Sequence, residues 1–239
     1  MTIQWSEIRR RAGNPRVLVA VYVPPLLVVV ATGIVSVVKN VPASKFTRDP
    51  AVLLGIHPLV GMMSNVGILL WAGAAAVCLF TALVLNMKRE SPAPRGFLAG
   101  AGLFTLWLLC DDLFLFHEWL FPTVLGVSDK VLFLAYGCLT AVFLFRFRRY
   151  ILHSTPWLVL GLALAFFAIS MGLDRLPEDM FVWDPLYLLE DGAKLLGIVG
   201  WLWYFGTVCA GLLAGPPEVS PKRWTAPADT AAGFDHGRP

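Results

Sequence analysis

The chain has 239 residues, of which 57% are hydrophobic and 15% charged, and its mean hydropathy is +0.70. Soluble domains carry about 25% charged residues, so this composition excludes an ordinary water-soluble fold and makes the lipid bilayer the first expected partner. The net charge of +3 does not imply a nucleic-acid partner, because cationic residues of membrane proteins collect in loops for topological reasons.

A spanning helix needs about 20 apolar residues. Runs of that kind fall near 17–38, 59–86, 97–120, 129–147, 156–173 and 186–213. The expected fold is therefore all-α: a polytopic bundle of about six transmembrane helices filling residues 1–214. Ahead of the first run, Ile3, Trp5 and Ile8 beside Arg9, Arg10 and Arg11 suit a short interfacial helix. The first run is too long for the apolar part of a signal peptide, which takes about 7–15 residues, and reads as a retained helix. Pro24 and Pro25 within it are expected to bend it. The start of the second run, residues 55–61, suits a re-entrant or interfacial segment. After the last run, residues 215–239 are rich in Pro, Ala and Asp and are expected to form a disordered tail.

Cytoplasmic loops keep the excess of Lys and Arg. Arg9, Arg10, Arg11, Arg16, Lys88, Arg89, Arg95, Arg146, Arg148, Arg149, Lys222, Arg223 and Arg238 fall on one side of the predicted topology. Lys39, Lys45, Arg48, Lys130 and Arg175 fall on the other. Every loop obeys the alternation, so both termini are expected in the cytoplasm and the protein in the cell inner membrane. Cys78, Cys110, Cys138 and Cys209 lie in separate apolar runs without a CxxC pair and read as packing residues.

Charged groups inside spans cost roughly 2.5–3.5 kcal/mol each on insertion scales and so tend to mark function. The third run contains Asp111, Asp112, His117 and Glu118; the sixth contains Glu190, Asp191 and Lys194. The third run points outward and the sixth inward, which brings both sets to one depth in the outer half of the bundle. His57, Ser64, Asn65 and Asp174 belong to the same half as supporting polar groups. His153 and His236 do not. Helical phase puts Asp111 and Glu118 on one face, flanked by Asp112 and His117, and aligns Glu190, Asp191 and Lys194 on another. Gly192, Gly197 and Gly200 would let a neighbouring helix approach the sixth closely.

Five carboxylates against one lysine cannot all stay ionised in a buried site without compensation. Protons, a divalent metal ion, a cationic substrate or exposure to water would supply it. Asp111, His117, Glu118 and Glu190 are the candidate metal ligands. Asp111, Asp112, Glu118, Glu190, Asp191 and Lys194 are the candidate catalytic set, with Lys194 suited to an anionic group. The resulting expectation is a metal-dependent membrane hydrolase or transferase acting on a lipid-like or small-molecule substrate. The alternatives are a proton- or ion-coupled transporter or channel component, or a ligand-binding sensor or assembly protein.

Overall fold

A computed structural model describes residues 15–57, 59–176 and 184–214. The expected N-terminal interfacial segment, the tail from 215 onward with His236, and Arg9, Arg10 and Arg11 lie outside the described residues. The fold is all-helical, 86% helix with no strand among the described residues. Contacts divide the chain into two compact units that meet in sequence at Met62 and Met63.

The first unit holds α1 (Pro15–Val38), α2 (Ser44–Thr47) and α3 (Pro50–Leu54). Both prolines lie within α1. Asp49 caps α3 by accepting the Ala51 N–H at 2.8 Å, with Pro50 at the first helical position, where its missing N–H costs nothing. Gly55, at φ +64°, ends it.

The second unit holds α4 (Met62–Met87), α5 (Pro92–Phe114), a π-helix π1 (Phe116–Leu125), α6 (Asp129–Ser154), α7 (Trp157–Leu173) and α8 (Asp184–Ala214). Within this set, four stretches are long and apolar enough to cross a membrane: Met62–Met87, Pro92–Phe114, Lys130–Ser154 and Leu186–Ala214. With 17 residues, α7 extends about 26 Å at 1.5 Å per residue, just short of a bilayer core. Residues 55–57 and 59–61 lie ahead of α4 as turns and a short irregular stretch rather than as its first turns.

Two stripes at helical spacing build the core. Trp71, Ala74, Cys78, Ala82 and Leu85 on α4 face Ile198, Trp201, Phe205, Val208 and Cys209 on α8, with Phe97, Leu98 and Ala101 of α5 packed in. Outside the stripes, large apolar side chains such as Leu69, Phe80, Leu83, Leu103, Val142 and Phe145 are exposed. A protein surrounded by water would bury such surface, whereas lipid solvates it. Contact order fixes the helix directions. Gly67 meets Ile198, and Val77 meets Cys209, so α4 and α8 run parallel. Thr105 meets Trp201 and Phe97 meets Phe205, so α5 opposes α8. Gly197 meets Phe167 and Gly200 meets Ala163, so α7 also opposes α8. Gly192, by contrast, has open space around it.

The third apolar run departs from the single helix expected over 97–120. It stops at Phe114, passes through Leu115 at φ +52° and resumes as π1. Two features disfavour an uninterrupted α-helix. Pro122 lacks an N–H and its ring crowds the carbonyl four residues earlier. The His117 N–H, meanwhile, is taken by the Asp111 side chain at 2.9 Å.

Candidate functional site

The break after Phe114 rearranges the acidic segment. On a continuous helix His117 would only flank Asp111, but the turn at Leu115 folds it back onto that carboxylate. Asp111 Oδ1 accepts the His117 backbone N–H at 2.9 Å, and Oδ2 lies 2.7 Å from His117 Nδ1. Asp111 is 4% exposed, so burial alone would penalise its charge, and the two bonds offset that penalty. An ionised Asp111 can only accept, so in the neutral form of His117 it would hold the ring proton on Nδ1 and leave Nε2 as the acceptor. Nε2 lies 3.6 Å from Glu118 Oε1.

Asp112 is saturated in a different way. Its Oδ1 accepts from Lys194 Nζ at 2.8 Å and its Oδ2 from Trp71 Nε1 at 2.9 Å. One residue thus ties α5 to both α4 and α8. The pair also answers part of the charge problem posed by the sequence, because Lys194 is the counterion of Asp112.

These groups open onto a cavity of about 1020 Å³. Asp111, Asp112, His117, Glu118, Asp174, Glu190, Asp191 and Lys194 all line it, together with Tyr136 and apolar residues such as Phe104, Leu144 and Leu164. The sequence did not single out Tyr136. Its spacing on α6 is that of an ordinary interior aromatic, and only the cavity distinguishes it. The floor is aromatic. Trp71 stacks on Phe167 at 5.6 Å between ring centroids, and Trp201 meets both edge-on. Beyond that floor the buried polar groups among the described residues include Thr81, Thr105, whose hydroxyl accepts from Trp201 Nε1, and Tyr204, whose hydroxyl lies 2.8 Å from that of Thr155.

Not every expected residue joins the site. Ser64 and Asn65 are exposed at the start of α4 and do not line the cavity. His57 belongs to the first unit, where its Nδ1 accepts the Leu59 N–H at 3.2 Å. Glu118 lines the rim with 59% of its side chain exposed. Asp174 pairs with Arg175 at 3.6 Å.

Asp111, Asp112 and His117 each offer a ligand atom within 4.8 Å of one another and could hold a metal ion. This set overlaps the expected one but replaces Glu118 and Glu190 with Asp112. All four carboxylate oxygens already accept from protein donors. An ion would therefore have to share them with the Lys194 ammonium or displace it.

Residues 20–208 match the family described as "Domain of unknown function (DUF8692)". The chain belongs to that family. The matched residues include every charged group lining the cavity, so the DUF8692 region carries the whole site. No curated protein and no solved structure matches the chain.

Proposed function

We propose that this DUF8692 protein is a membrane enzyme that binds a lipid-like molecule in the cavity and acts on its polar end by general acid–base chemistry at His117. The observation that supports it most is the Asp111–His117 pair at the polar end of an otherwise apolar cavity. A carboxylate that fixes the tautomer and ring orientation of a histidine leaves Nε2 as a base within reach of a bound molecule. Hydrolysis is the simplest case. Water gives a proton to Nε2 as its oxygen attacks an acyl carbon; the bond to the leaving group breaks, and the leaving group takes the proton back. Asp111 stabilises the imidazolium between the two steps. The aromatic floor argues for this reading over an ion pathway, because the buried polar groups past it among the described residues are hydroxyls, with no buried carboxylate to continue a relay.

In this reading the first apolar helix joins the others as a sixth span, and both termini face the cytoplasm. Arg146, Arg148 and Arg149 lie on α6 at the end opposite the cavity, which suits a cavity opening toward the outer face of the inner membrane. A second reading keeps a divalent ion at Asp111, Asp112 and His117, favoured by the convergence of their ligand atoms. Metal analysis of the purified protein separates the two, because only the second expects a stoichiometric ion.

The test is product formation. Wild-type protein in nanodiscs, incubated with a total membrane lipid extract and followed by mass spectrometry, is expected to convert one lipid class, and His117→Ala is expected to abolish the conversion. No converted class with the wild type, or undiminished conversion with His117→Ala, would overturn the proposal.

A further inference from the structure

The charges around the cavity are unequal in sign. Six carboxylates line it: Asp111, Asp112, Glu118, Asp174, Glu190 and Asp191. The lining cations are Lys194 and, when protonated, His117, and each is already bonded to a buried aspartate. Arg175 lies at the same rim but is turned to Asp174 at 3.6 Å and to the face of Phe133 at 4.8 Å. An incoming anion would meet neutralised cations together with Glu190 and Asp191, which have no ion pair among the described residues. Like charge in so confined a space is repelled more strongly than in bulk water, and a cation is attracted by the same field.

A second observation concerns Tyr136. Its hydroxyl oxygen is shielded from solvent on the cavity wall near Asp111 and Trp107, and makes no well-formed hydrogen bond among the described residues. It is a ready partner for a polar atom of a molecule entering the cavity.

We propose that the cavity selects an amphiphile with a protonated amine headgroup, seated among Glu118, Asp174, Glu190 and Asp191, with a neighbouring polar atom of the same molecule at the Tyr136 hydroxyl and its hydrocarbon chain against the apolar walls. This rests on the reading of the cavity as a lipid-like ligand site. It changes what Lys194 does. Instead of receiving an anionic group, Lys194 neutralises Asp112 and leaves the remaining acidic field to the ligand.

Native mass spectrometry of the purified full chain with hexadecylamine, hexadecanol or palmitate tests the proposal, since the three probes share one chain and differ in headgroup charge. The expected order is amine, then alcohol, then acid, with the amine bound about tenfold or more tighter than the acid. Glu190→Gln combined with Asp191→Asn should shrink that ratio by several-fold while leaving hexadecanol binding unchanged. Neither side chain makes a hydrogen bond among the described residues, and an unchanged melting temperature verifies that the variant is intact. Tyr136→Phe should weaken amine and alcohol alike. Equal binding of all three probes, or a preference for palmitate, overturns the amine assignment while the cavity reading stands. If no probe binds, and Ala168→Trp in the cavity wall changes nothing, the cavity reading fails and the amine assignment falls with it.

Discussion

Asp111 acts through His117 and is a positioning residue, which makes its amide variant informative. In Asp111→Asn the Oδ1 atom can still accept the His117 N–H, but Nδ2 would donate to Nδ1 and drive the ring proton to Nε2. Turnover is expected to fall by about 100-fold or more while KM and the melting temperature stay near wild-type values. A fall in melting temperature matching that of Asp111→Ala would instead mean a merely structural role. Asp112 differs, because its removal strands two donors at once. Asp112→Ala should destabilise the protein by about 1–3 kcal/mol, discounted toward the lower end because the Lys194 side chain is 38% exposed. Thermal unfolding in detergent measures it, and a companion Lys194→Met substitution should recover part of the loss by removing the unpaired cation. The residues of this cluster were legible in the sequence as charges in apolar runs. Their partners were not, because helical phase assumed an unbroken helix from Asp111 to Glu118.

That break belongs to the scale of elements. Leu115 adopts a left-handed conformation that costs a side-chain-bearing residue about 1–2 kcal/mol. Leu115→Gly should therefore leave stability unchanged or raise it by up to about 1 kcal/mol. Leu113→Gly, two residues earlier inside α5 and similarly exposed, should cost about 1 kcal/mol. Equal losses at both positions, read as melting shifts, would show that the turn at Leu115 is not formed. The expected span over 97–120 passed over Pro122 just beyond its end, and the side-chain capture of the His117 N–H is a tertiary detail no periodicity encodes. Glycine spacing was only partly readable. A methyl group at Gly197 would lie 2.7 Å from the Phe167 ring, which is held in turn against Trp71. Gly197→Ala is expected to cost about 1–3 kcal/mol, whereas Gly192→Ala, in open space, should be neutral or slightly stabilising. The sequence placed both glycines on the same footing, since only a packed neighbour separates them.

At the scale of the molecule, apolar run length and loop charge carry the most information, because lipid imposes length and hydrophobicity on every span. Four spans answer to those criteria by length and composition, and within the second unit α4 and α8 oppose α5 and α7 as alternating loops require. The proposed orientation makes its own prediction. In a background lacking the four native cysteines, Lys130→Cys should react with a membrane-impermeant maleimide from outside intact cells, and Arg149→Cys only after lysis; the reverse pattern would invert the topology. The cavity itself was invisible in the sequence, since a void of about 1020 Å³ arises from how far five helices stand apart rather than from any residue pattern. The claim on which the rest depends is that a lipid-like molecule occupies it, and native mass spectrometry of protein extracted from membranes in mild detergent tests that most directly. Wild type should carry a stoichiometric adduct of lipid-like mass, reduced about tenfold or more in Ala168→Trp, which fills the cavity wall. An adduct equally abundant on both proteins, or absent from the wild type, would contradict the account.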